Sequence, residues 1–243
     1  MSGTRKPSNW LKTTPATSTR PDPAPAIMLS AETTRFIEDL AANNDRDWFK
    51  ANEDRYKQHY KLAGEGFAET LAHRLDEALD TQLTPRNFRI FRDVRFSKDK
   101  TPYAPHLRIG LSRPDAAPDH PFLMTGLQLG KLVIGAGRMS FEKPTLERFR
   151  EVVAGEDGEE LTAMLDGFTA NGARLGKPDL KRVPAPYDKD HPRGELLKYK
   201  GLTVWRDFEG HDMAYGEGGP ANVAEALLEF RPLYDWLAEL TSA

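Results

Sequence analysis

The sequence predicts a single α+β domain, an antiparallel or mixed sheet of about five strands flanked by N-terminal and C-terminal helices. Two observations carry this expectation. Apolar residues recur with helical spacing toward both ends of the chain, and short strand-like runs follow one another through its middle. Those runs succeed each other without the strict βαβ alternation of a doubly wound parallel fold.

Residues 1–26 are rich in Pro, Thr, Ser and Ala, and set Arg5, Lys6, Lys12 and Arg20 against Asp22. With no apolar period, burial cannot offset the cost of ordering them, so the segment reads as a disordered tail before a domain at 27–243. Trp10 and Leu11 offer a small docking point, although a plain tail is the simpler reading. Ser30 is a plausible N-cap for a helix that places Phe36, Ile37 and Leu40 on one face. Asn43-Asn44 ends it, and Asn44 with Asp47 resembles the next cap. A longer helix then carries Phe49, Tyr56, Tyr60, Ala63, Phe67, Leu71, Leu75 and Leu79, with Gly64 and Gly66 as loosening points.

Strands are expected at 88–96, 107–111, 122–129, 132–138 and 202–208, with Gly130-Lys131 as a hairpin turn. Pro144 starts a further helix, Asp157 with Glu160 resembles a capping box for another, and Asn171-Gly172 stops it. A Pro-rich loop leads to a short helical piece at 195–198, and a C-terminal helix over 221–240 breaks or kinks at Pro232.

Composition excludes several classes. The 243-residue chain is 39% hydrophobic and 29% charged, an ordinary globular balance, and long enough to bury a core without staples. It holds no cysteine, which removes disulfides, Cys-ligated zinc, iron–sulfur clusters and thiol catalysis and suits a reducing cytoplasm. No apolar run approaches the ~18–20 residues of a membrane span, and no apolar leader core stands at the N-terminus. Net charge is −3, which argues against a protein whose task is to coat a polyphosphate.

The segment over 88–103 concentrates chemistry. Arg89, Arg92, Arg95, Lys98 and Lys100 are interleaved with Asp93, Asp99 and aromatics. On a strand, Arg92 would share a face with Phe88, Ile90, Val94 and Phe96, where a guanidinium demands a carboxylate, carbonyls or an anionic ligand. One reading is an anion pocket in which Arg92 and Arg95 clamp a phosphate or carboxylate and Asp93 orients them. Ser97, Lys98, Asp99 and Lys100 form its turn, and Tyr103 or His106 would move protons. The structural alternative is an internal Arg–Asp network with solvated lysines.

Asp188, Asp190 and His191 gather hard and borderline metal-ligand types, although a Pro-flanked run of this kind is more simply a turn. Lys198 would add charge to the anion pocket if its loop folds over it. Ser97-Lys-Asp-Lys100 satisfies a serine–lysine pattern without its companion motifs. No nucleophile with its base, phosphate-binding loop or cofactor fingerprint stands out, so neither a reaction nor a cofactor is assigned.

Three stretches carry a family resemblance: Asn43-Asn-Asp-Arg-Asp-Trp-Phe-Lys50, Arg92-Asp-Val-Arg-Phe-Ser-Lys-Asp-Lys-Thr-Pro-Tyr103, and Tyr187-Asp-Lys-Asp-His-Pro192 with Glu195-Leu-Leu-Lys198. The chain resembles the bacterial family called domain of unknown function 2461, over about residues 30–240. The resemblance implies a single domain, favours joining the three stretches in one site, and brings no activity with it. Ala104-Pro105 and Pro186 depart from the family's usual Lys-Thr and Gly. The expected function is binding of a small anionic ligand, with a nucleic-acid or protein interaction module on the same basic segment as the alternative.

Overall fold

Ser30 precedes α1 (Ala31–Ala42), its backbone N–H donating to Thr33 Oγ1 at 3.2 Å. In the computed structural model, which describes residues 26–115 and 117–242, Phe36, Ile37 and Leu40 of this helix are buried as the spacing predicts. The expected tail at 1–26, with Trp10 and Leu11, lies outside the described residues except for Ala26. The next cap is Asp45 rather than Asn44: its carboxylate accepts from the N–H groups of Asp47 and Trp48 at the start of α2 (Arg46–Ala51).

The expected long helix is α3 (Glu53–Arg55), a π-helical segment (Tyr56–Leu62) and α4 (Ala63–Leu79) in succession. Tyr56 and Tyr60 of the π segment bring their rings to 6.1 and 5.9 Å from Phe36. Gly64 does not loosen α4. A Cβ there would stand 3.2 Å from Leu107 Cδ1 and from Asn87 Nδ2, so the glycine lets the helix lie close on the sheet.

The sheet has six strands, all pairs antiparallel, in the order β1-β2-β3-β4-β6-β5. They are β1 (Thr84–Asn87), β2 (Leu107–Ser112), β3 (Phe122–Gln128), β4 (Lys131–Arg138), β5 (Arg174–Leu175) and β6 (Leu202–Glu209). Four match the expected runs, and Gly130, at φ +73°, turns the β3–β4 hairpin. The run at 88–96 is not a strand. After Phe88, whose N–H still reaches Arg108 O, the chain turns back on itself, with Arg92 N–H bonding Pro102 O and Ala104 N–H bonding Ile90 O. Pro102 and Pro105 offer no N–H, and Asp93 and Asp99 bond backbone N–H groups two residues on, which favours a loop over a ladder.

Helices follow the expected order. They are α5 (Lys143–Ala154) with Pro144 in its first turn, α6 (Gly158–Ala170), α7 (Gly194–Leu197), α8 (Gly219–Leu228) and α9 (Arg231–Ser242), with the expected break at residues 229–230 and Pro232 in the first turn of α9. The capping box expected at Asp157 is not formed. Helices α4, α8 and α9 pack on one face of the sheet. The side chains of Leu107, Ile109, Leu111, Leu123, Leu127, Leu132, Ile134 and Val204 point toward them and are buried. Strand alternation sends the intervening residues to the opposite face, which floors a cleft.

Candidate functional site

The registers of all five strand pairs align one transverse row across the opposite face: Arg86, Gly110, Met124, Gly135, Trp205, Arg174. The two glycines make room for rings. Phe88 lies over Gly110, its Cε2 3.2 Å from where a Cβ would stand, and the Trp205 indole lies over Gly135. Trp205 is held in place by its Nε1–H, which donates to Thr203 Oγ1 at 2.9 Å. Arg86 sits beside Phe88, its guanidinium carbon 5.3 Å from the ring centroid. The row is therefore arginine and ring at each end with a methionine between them.

This face floors a cleft of about 690 Å³, within the range of small-molecule sites. Five arginines line it: Arg86, Arg108, Arg113, Arg138 and Arg174. Among the described residues lining it there is no Asp or Glu. Arg174 has a partner at the margin, Asp207, which also takes Lys131 at 2.7 Å. Burial works against the Asp207 charge, but hydrogen bonds from Arg174 and Lys131 outweigh it and hold the carboxyl below its ordinary range. Arg113 faces Asp115 at 3.4 Å and Arg138 faces Asp119 at 3.9 Å. Among the described residues, no carboxylate lies within ion-pair distance of Arg86 or Arg108.

The residues singled out from sequence lie elsewhere. Arg92 donates to Asp99 at 2.6 Å, to Thr101 O at 3.1 Å and to Thr101 Oγ1. The Thr101 backbone N–H, the Arg92 guanidinium and the Thr101 hydroxyl together pull the Asp99 carboxyl down to about 2. Arg95 forks onto Asp93, at 3.0 Å from Nε to Oδ1 and 2.7 Å from Nη2 to Oδ2, which lowers the Asp93 pKa. Lys100 donates to the carbonyls of Val94 and Arg95. Lys98 is exposed and Ser97 half-buried. The loop's charges thus hold its own backbone in shape, and none of these residues lines the cleft.

Tyr103 is a packing residue: its ring stacks on Phe49 at 4.1 Å, and burial raises its pKa. Asn44 brackets it, donating to Tyr103 O at 3.0 Å and accepting from Tyr103 N–H at 3.1 Å. Two of the three resemblance stretches are joined in this way. The third makes its bonds elsewhere. Arg193 caps the end of α5 by donating to the carbonyls of Val153, Ala154 and Gly155, and Lys198 pairs with Glu195. Asp188 Oδ1 accepts from Asp190 N–H and His191 Nδ1 accepts from Arg193 N–H, so this run is a hydrogen-bonded turn. Among the described residues, no three His, Asp or Glu side chains gather as a metal-binding group.

His106 is half-buried, and burial followed by the charges of Arg108 and Arg92 lowers its pKa to about 4. Unfolded, it titrates near 6.5, so between these values the unfolded chain binds a proton that the folded site refuses. Stability is therefore expected to fall as pH drops through that window. Discounted for solvent screening, the His106 share is about 1 kcal/mol. His120, lowered mainly by burial, acts in the same direction. Urea unfolding at pH 7 and near pH 4.5 should show a shallower loss in His106→Gln than in wild type, and equal losses would refute the assignment.

The cleft arginines escaped the sequence reading because they are scattered over 86–174 and become neighbours only through strand register. One signal is present in β2, where Arg108 and Gly110 alternate with Leu107, Ile109 and Leu111. No helix among the described residues is long and apolar enough to cross a membrane. No curated protein matches the chain. The profile of one family, described as Conserved hypothetical protein (DUF2461), matches residues 32–236, and the chain belongs to that family.

Proposed function

We propose that this is a cytoplasmic protein whose sheet cleft binds a small organic anion bearing phosphate or carboxylate groups. One observation carries the reading: five arginines and no carboxylate line the cleft, and Arg86 and Arg108 have no counter-ion there. Both are exposed, and an anion with forked oxygens would pair with their guanidinium groups through charge-assisted hydrogen bonds. The absence of cysteine suits the reducing cytoplasm.

Calorimetric and thermal-shift titrations with inorganic pyrophosphate and citrate test this, on wild type, the Arg86→Ala/Arg108→Ala double variant and Arg95→Ala. A probe at about 100 times its Kd adds about 2.7 kcal/mol to stability, readily seen as a raised Tm. The double variant should bind at least about 100-fold more weakly, since two donors are lost and each charge-assisted hydrogen bond contributes about 1.5–3 kcal/mol. Arg95→Ala should bind like wild type. If no probe binds, the reading fails. If Arg95→Ala alone loses binding, the anion belongs to the loop, with Arg92, Asp93, Ser97, Lys98, Asp99, Lys100 and Lys198 as its surroundings.

A second reading places a nucleic acid or protein partner on that loop, and one observation favours it. Phe96 is 96% exposed between Arg95 and Lys98, the arrangement of a stacking ring among phosphate contacts. Binding there should collapse steeply with salt, whereas a cleft-bound small anion responds less.

A further inference from the structure

We infer that the anion is a nucleoside phosphate, with its base stacked on Trp205 and its phosphates reaching the arginines; this rests on the cleft being an anion site. The indole is a preformed platform. One of its faces lies on the Gly135 backbone, its N–H is already committed to Thr203, and it lines the cleft. A ring so held offers no hydrogen bond of its own and serves a ligand through stacking. Its neighbour across β5 is Arg174, and the far end of the same row is Arg86.

The distances fit a ligand with a ring at one end and charge at the other. From β6 to β2 is three strand spacings, ~14 Å, and to β1 four, ~19 Å. Arginine side chains shorten either gap, leaving roughly the span of an extended nucleoside di- or triphosphate. Between the ends, Met124 and Gly126 form a low apolar floor on which a ribose can rest. A neutral sugar fits less well, because no cleft-lining Asp or Glu stands ready to accept from its hydroxyls. Inorganic phosphate alone would leave the indole without a role.

Isothermal titration of ADP, adenosine, ribose 5-phosphate and inorganic pyrophosphate into the full chain tests this. ADP is expected to bind about 10-fold or more tightly than pyrophosphate or ribose 5-phosphate, the increment a stacked base brings. Trp205→Leu should abolish that advantage and leave pyrophosphate affinity unchanged, while Trp205→Phe should keep part of it. If Trp205→Leu does not fold, the wild-type Trp205 indole N–H resonance gives the same answer. It should move upfield on adding ADP and stay in place on adding pyrophosphate.

Equal affinities for ADP and pyrophosphate, or an advantage that survives Trp205→Leu, would overturn the nucleoside while sparing the anion site. Failure of every anion to bind would remove both. A short single-stranded oligonucleotide that binds more tightly than ADP, with a steep salt dependence, would transfer the same chemistry to a strand and overturn the free nucleotide.

Discussion

Gly135→Val is expected to destabilise the protein by about 3 kcal/mol, at the upper end of what overpacking costs, and to unseat Trp205. A Cβ at this position would stand 2.4 Å from Trp205 Cε3 and 2.8 Å from Cδ2 and Cζ3, distances no real Cβ contact tolerates. The obstacle is a fused ring, tethered through Nε1 to Thr203, so it cannot yield as the end of a flexible side chain would. Gly135 itself is paired on both sides, to Met124 and to Trp205, and its backbone has little freedom to retreat. In a chain of this size such a loss lowers Tm by about 6–12 °C.

Gly167→Ala provides the opposite sign as a control. It lies inside α6 with nothing within 4 Å of its virtual Cβ, so alanine should stabilise by about 0.5–1 kcal/mol through the unfolded state. Thermal unfolding of the two variants checks both. A Gly135→Val protein that melts with wild type would mean that the indole does not rest on β4, and the stacking platform would lose its foundation.

The contrast between those two glycines shows what could be read without coordinates. Helical spacing identifies Phe36, Ile37 and Leu40, and further on Phe67, Leu71 and Leu75, as inward-facing residues because a period along the chain is a local property. The same holds for β2, β3, β4 and β6, whose apolar positions alternate. Strand β5, two residues long, is too short to carry a period, and β1 holds Pro85 and polar neighbours. The segment at 88–96 has the alternation of a strand but not its bonds. Its charged side chains find partners within the loop itself, Arg95 on Asp93 and Arg92 on Asp99, and so support a compact turn. Density of charge in sequence therefore drew attention to a self-paired loop. The cleft depends on register, which brings Arg86 and Arg174 into one row although 88 positions separate them in the chain. Register is a property of the assembled sheet, set by the hairpins and the buried face, and no local pattern encodes it.

Asn44→Ala is expected to cost about 2–4 kcal/mol, because it strips two half-buried backbone groups of their partners at once. Tyr103 would lose the acceptor for its N–H and the donor to its carbonyl, while its ring kept the stack on Phe49. Asn44→Asp separates the two terms: a carboxylate still accepts from the Tyr103 N–H but cannot donate to the carbonyl, so its loss should fall between wild type and alanine. Hydrogen exchange should localise the damage to the loop between Phe91 and Tyr103, which pair with each other in an isolated antiparallel bridge. Pyrophosphate affinity should be unchanged in both variants, since Asn44 does not line the cleft. That last measurement decides what the conspicuous stretches around Asn44 and Tyr103 are for. If anion binding survives while the loop loosens, the loop is either scaffold or a separate docking element carrying Phe96. If binding is lost with the loop, Phe88, which both opens the loop and lies over Gly110 in the cleft, is the residue through which the two are coupled.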